Sequence, residues 1–271
     1  MKLTLMILFT LLLANSAYAE TADEHLKRID KKVTSCSVNG VSFNMVVVVP
    51  NWFYFGDEES TNSITNLRVF LIGQTEVTQE LFQAVMGYNP SVHRGPQLPV
   101  ENVSWNECQM FILKLNLITG LEFCLPTECE WECAAKGGSK IKNYKYSGNN
   151  KVNKVCWSRE NSHNTTHQTA TLSPNGAELY DMSGNVAEWC SDWYMDDEET
   201  DQYGFALYHP QGHYNNSAKM NGARAYRGGS YVDSSENCSV FVRHGASPGT
   251  KSSSIGLRLA MYDLPEELEI R

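Results

Sequence analysis

The sequence predicts a single irregular α+β domain with a low content of regular secondary structure. Three observations carry that expectation. Two S/T-x-x-E capping boxes each head a run of apolar residues at helical spacing. A β-branched run, Met45 to Val49, stops at Pro50. From about residue 137 onward neither period persists, and Gly, Asn, Ser and Asp recur between short aromatic patches. The 271 residues are 42% hydrophobic, 20% charged and 11% aromatic, which suffices for one packed core and excludes a disordered chain. With a formal charge of −9 and no Lys/Arg cluster, the chain's own field opposes nucleic acid, so no nucleic-acid partner is expected.

Taken in order, residues 1–19 show Lys2, an apolar run from Leu3 to Ala14, and Ala17-Tyr18-Ala19, the pattern of a secretory signal peptide cleaved after Ala19. The run is shorter than the roughly 20 residues that span a bilayer, and no later stretch reaches that length. The expected product is secreted or periplasmic, with no transmembrane segment after cleavage. Residues 20–42 read as a polar leader, 43–262 as the domain and 263–271 as a C-terminal tail. Met45–Val49 and Trp52–Phe55 suggest a hairpin or two short strands, and residues 56–66 a loop. A helix over 78–86 is capped by Thr78, buries Leu81, Phe82 and Val85, and ends at Gly87. The box Ser104–Glu107 opens a helix over 104–119, with Trp105, Cys108, Phe111, Ile112, Leu115 and Ile118 as its stripe and Gly120 at its end. Thr127–Glu130 opens another, with Trp131, Ala134 and Ala135 inward and Gly137-Gly138 closing it. Beyond it, short strands and long ordered loops are expected, their main-chain polar groups satisfied by bound ions or disulfides. The acidic run Asp196–Glu199 with Asp201 reads as a solvated loop.

Eight cysteines (Cys36, Cys108, Cys124, Cys129, Cys133, Cys156, Cys190 and Cys238) follow the signal. An oxidising compartment would permit one to three disulfides, whose pairing the sequence leaves open. No C-x-x-C occurs, so a four-cysteine zinc site is not expected. His163 and His167 stand four apart in a Thr/Asn-rich stretch without helical period and read as surface residues. The stretch Leu179–Trp189 is more pointed. Asp181 and Glu188 place hard carboxylates seven residues apart around a Gly-Asn turn that can gather carbonyls, as calcium coordination requires. An Asp-initiated turn followed by a solvated Glu is the alternative.

Six stretches together resemble the formylglycine-generating enzymes, also called sulfatase-modifying factors. They are Gly73–Gln79, Pro99–Glu107, Leu125–Gly138, Gly176–Trp193, Tyr226–Tyr231 and Ile255–Ala260. The resemblance implies a fold similar to C-type lectin-like domains. It also implies a structural calcium held by the side chains of Asp181 and Glu188 and the carbonyls of Gly184 and Val186. Active members resemble copper-dependent oxidases that turn a sulfatase cysteine into formylglycine with two cysteines five residues apart. Here Cys238 matches the second, whereas Asp233 stands at the first. A carboxylate is a poor substitute for a thiolate toward Cu(I), so copper is not expected. Ala187, where active members often carry an aromatic residue, thins the wall of the site. The reading that follows is an exported binding or accessory module taking a protein or peptide ligand in a groove around Ser230, Asp233, Cys238, Trp189 and Arg243. The alternative is a variant oxidase acting on a sulfatase Cys or Ser through Cys238, with Asp233 and Ser230 beside it. Cys238 could also be tied up in a disulfide with another cysteine such as Cys190.

Overall fold

The β-branched run beginning at Met45 is buried on both sides, and the layers of the fold follow from that. The computed structural model describes residues 33–56, 63–64, 67–194 and 222–262. The expected signal peptide at 1–19, residues 20–32, the acidic run at Asp196–Asp201 and the tail 263–271 lie outside the described residues. Strand β2 (Val41–Val48) lies between β1 (Val33–Val38) and β5 (Phe70–Gly73), and β10 (Ala260–Met261) adds to β5; all pairs are antiparallel. Successive strand side chains face opposite ways. Met45 and Leu71 enter one core, with Leu81, Phe82, Phe111 and Leu115 from the helices. Val46, Val48, Phe70 and Ile72 enter a second core with Trp131, Ala134, Ala135 and Met182. A strand covered on both faces needs an apolar residue at every position, which is why the run shows no alternation.

The expected polar leader over 20–42 is corrected by β1 and the start of β2. Thr34, Cys36 and Val38 alternate inward, so this strand carries its hydrophobic signal in small residues. Nor do Met45–Val49 and Trp52–Phe55 form a hairpin with each other. Pro50 ends β2, and β3 (Phe53–Tyr54) pairs instead with β4 (Ser63–Ile64), inside the segment expected to be loop. A second sheet has the order β8 (Arg243–Ala246), β7 (Arg224–Arg227), β6 (Ala187–Trp193), β9 (Ile255–Gly256), with β9 parallel to β6.

All three anticipated helices form: α1 (Gln79–Met86), α2 (Trp105–Thr119) and α3 (Glu128–Lys136). Ser104 Oγ accepts from Glu107 N–H at 3.2 Å while Glu107 Oε2 accepts from Ser104 N–H at 3.0 Å. Thr127 and Glu130 do the same at 3.2 and 2.9 Å. Each box satisfies two main-chain donors that the helix start leaves open. The stripe of α2 is narrower than expected: Ile118 is 49% exposed, beside Met110, Leu113 and Leu117 on an apolar outer face. In α3 the surprise is polar, since Glu128, Glu130 and Glu132 are all buried along with its apolar side.

Ser104→Ala and Thr127→Ala are each expected to lower unfolding free energy by about 1 kcal/mol in urea titrations. An unchanged midpoint would show that the boxes hold chain already fixed by tertiary packing.

Candidate functional site

The loop from Leu179 to Val186 curls through left-handed backbone at Asp181 (φ 57°), Gly184 (φ 77°) and Asn185 (φ 60°). Glycine is required at 184, because a Cβ there would stand 2.2 Å from the Trp157 carbonyl oxygen and 2.7 Å from Cys156 Sγ. The curl places Asp181 within electrostatic reach of Glu188 at the start of β6 and of Glu76 from the strand–helix connection. Glu188 takes its positive partner from the chain itself. Arg258 Nε donates to both Glu188 oxygens at 3.0 and 2.9 Å, its Nη2 to Oε1 at 2.6 Å, and Trp131 Nε1 donates to Oε2 at 2.6 Å. The remaining Arg258 donors reach the carbonyls of Gly73 (2.9 Å) and Tyr180 (2.8 Å).

Three buried carboxylates thus surround one guanidinium. Burial, reinforced by Asp181 and Glu188, holds the Glu76 carboxyl far above the usual carboxylate range. Burial likewise pushes Asp181 up to about 6. Asp181 Oδ2 accepts from Ala170 N–H at 2.7 Å, but Oδ1 is buried without a hydrogen-bond partner. This acid surplus and the orphaned oxygen fit a hard cation. Among the described residues no group of three or more His, Cys, Asp or Glu side chains is arranged to hold a metal, so such a cation would depend on carbonyls as well.

A second polar cluster sits on α3. Arg227, fully buried, pairs with Glu132 and lies 3.5 Å from Glu128. Arg243 reaches the two Glu128 oxygens at 2.8 and 2.9 Å. Lys136 closes on Glu132 at 2.7 Å. Arg243 therefore does not wall an open groove; it neutralises a buried carboxylate.

Trp189, Ser230 and Cys238 are corrected in the same direction, while Asp233 stays partly exposed. Trp189 is wholly buried, with its Nε1 donating to Val103 O at 3.0 Å. Ser230 and Cys238 have no exposed surface. Ser230 Oγ donates to Asp233 Oδ2 at 2.5 Å, and Cys238 Sγ lies 3.6 Å from Ser230 O. Sequence reasoning carried these residues over as an open site, but the R-G-G-S turn folds inward because its two glycines allow close backbone approach. A Cβ on Gly229 would lie 2.5 Å from Asn237 O. Cys190 Sγ donates to Glu188 O at 3.9 Å, and Cys190 and Cys238 are both free thiols, so the pairing of Cys238 with Cys190 is not present. His163 is exposed, and His167 stacks on Trp157 at 3.7 Å, so neither forms a metal pair with the other.

Open surface lies nearby instead. A groove of about 900 Å³ is lined by Trp52, Tyr54, Tyr144, Lys136, Lys145 and Phe241, among others. Trp52 and Tyr54 are 59% and 49% exposed and meet edge to face at 5.7 Å. Exposed aromatics beside amino groups suit a ligand with apolar and acidic parts. The sequence showed these aromatics as strand residues; nothing in their spacing announced which would stay outside.

The sulfatase-modifying factor enzyme 1-like domain family matches residues 34–262. The chain is 32% identical to the chaperone protein LppX of Paenibacillus barcinonensis, over 61% of this chain and 78% of that one. It is 29% identical to the formylglycine-generating enzyme of Thermomonospora curvata, over 66% of this chain and 60% of the enzyme. Among solved structures, the Treponema denticola variable protein 1 is 30% identical with a TM-score of 0.73, covering 86% of this chain and all (100%) of that one. PvdO from Pseudomonas aeruginosa, 19% identical with a TM-score of 0.65, covers 85% of this chain and 98% of its own and speaks for the fold alone.

Arg258→Met is expected to cost about 3–5 kcal/mol, because it strands the Glu188 carboxylate. Adding Glu188→Gln should recover part of that loss in the same denaturation experiment. A single variant within 1 kcal/mol of wild type (roughly the scale of a surface pair) would contradict the assignment.

Proposed function

Because the chain belongs to the family of sulfatase-modifying factor enzyme 1-like domains, we propose that it is an exported binding or accessory module of that family, and not an oxidase. One observation carries the reading: the R-G-G-S turn holds Asp233 where a second thiol would be needed, and Cys238 is sealed from solvent. A peptide cannot reach a sulfur that has no exposed surface. The family supplies a framework, and activity resides in a site placed on it. The likeness to a protein named as a chaperone supports a protein or peptide ligand, and the Trp52–Tyr54 groove is the open surface suited to it. The N-terminal signal pattern supports export to the periplasm or the medium.

Calcium belongs to the same proposal. Asp181 through Oδ1, the carbonyls of Gly184 and Val186, and Glu188 beside Arg258 are the groups that would hold it. The unpartnered Asp181 oxygen and the excess of buried carboxylates over guanidinium support it. Its contribution would be to fix the loop, with no part in chemistry.

The variant oxidase is the second reading, favoured by the Cys156 sulfur beside Cys238 and by the likeness to formylglycine-generating enzymes. Mass spectrometry of a sulfatase-motif peptide incubated with the full chain, Cu(I) and O₂ separates the two. No aldehyde is expected; aldehyde lost on Cys238→Ala would establish the oxidase. On a peptide array, binders should weaken about tenfold or more in Trp52→Ala. Binding indifferent to that change would move the ligand off the groove. Calcium at a hundredfold excess over its Kd should raise Tm by roughly 5–10 °C. Asp181→Ala should remove that rise, and a wild-type Tm that ignores EGTA would overturn the ion.

A further inference from the structure

We infer that Cys156 and Cys238 form a disulfide that ties the segment following Cys156 to the R-G-G-S turn. The two residues are 82 positions apart in sequence, yet both are buried free thiols set against the same backbone: Cys156 Sγ lies beside Gly184, whose N–H reaches Gly228 O, and the Cys238 backbone lies against Gly229. The backbones carrying them are already laid side by side. Arg159 N–H donates to Asp233 O at 2.8 Å, Ser162 Oγ to Tyr231 O at 2.8 Å, and Ser235 N–H to Glu160 Oε2 at 3.1 Å. On the third side, Gly184 N–H donates to Gly228 O at 2.9 Å, and the absent side chain of Gly184 leaves the space that Cys156 Sγ fills. Both cysteines are wholly buried. The neighbouring Cys238 side chain and burial push the Cys156 thiol up, so Cys156 is not presented as an attacking thiolate once the domain has closed.

The bond therefore forms while the chain is still open, by thiol–disulfide exchange. A thiolate of one cysteine attacks a disulfide oxidant, giving a mixed disulfide and releasing one thiol. The second cysteine then displaces the other half. Two S–H bonds and the oxidant's S–S bond are lost, one S–S bond forms in the protein, and the oxidant leaves as two thiols carrying both protons. In the compartment proposed above the oxidant is a protein or small-molecule disulfide. The consequence for the site is that Cys238 has a structural duty, in place of the copper chemistry that its position in the motif suggests.

The test refolds the reduced full chain with oxidised glutathione, which makes it independent of export. Trypsin then isolates each cysteine on its own peptide: 155–159 carries Cys156 and 228–243 carries Cys238. The expected result is a species joining these two peptides, two hydrogens lighter than their sum. Recovery of both as alkylated thiols, or of Cys238 joined to another cysteine such as Cys190, would overturn the inference. So would a folded chain that keeps both thiols reduced and holds one Cu(I) between them. Reductant should lower the Tm of the oxidised protein by roughly 5–15 °C. The Cys156→Ser variant, which keeps the shape of the side chain, should lack that sensitivity. An equal response in the variant would count against the bond.

Discussion

The buried ion pair between Glu188 and Arg258 is the constraint on which the rest of the domain depends. Two full charges without solvent are costly unless every donor and acceptor is used. Here most are: Arg258 grips Glu188, Gly73 O and Tyr180 O, and Glu188 also accepts from the indole of Trp131. Those partners come from β5, the 179–186 loop, β6, α3 and the segment leading to β10. A single side-chain cluster thus joins the first sheet to the second and to the helix covering both. It also fixes the start of the 179–186 loop, whose Tyr180 carbonyl is bonded to the buried guanidinium.

The Arg227 cluster repeats the device on α3 itself, at positions that flank Trp131. Glu128 and Glu132 face inward on successive turns of that helix, and Arg227 and Arg243 arrive from neighbouring strands of the second sheet. Of the six motif stretches, five supply members of these two clusters: Gly73 and Glu76, the α3 segment, Tyr180 to Glu188, Arg227, and Arg258. The shared residues therefore describe a framework more than a reaction. Membership in the family and closure of the cysteine site are compatible for that reason.

Much of this was legible in the sequence, for identifiable reasons. The helices were readable because their caps are local: Ser104 and Glu107 meet within one turn, whatever lies around them. The Asp181–Glu188 curl was readable from Gly184 and Asn185. Strand β1 was missed because its inward residues are Thr34, Cys36 and Val38, too small and mixed to outweigh the charged residues before them. The groove was misplaced because burial is a tertiary property. Trp189 and Arg243 look the same in sequence whether they line a cleft or fill a core. Long-range partners were invisible for the same cause, as with Cys156 for Cys238 and Arg258 for Glu188. The one sequence-level hint of the latter was an arginine set within the otherwise apolar Ile255–Ala260.

Native-state amide hydrogen exchange on Arg258→Met would be most direct, read under conditions where the variant remains folded. If the pair is the junction described, protection should fall together in β5, β6 and α3 and across residues 179–186. Loss confined to β9, β10 and their immediate neighbours, with α3 and the 179–186 loop as protected as in the wild type, would contradict it.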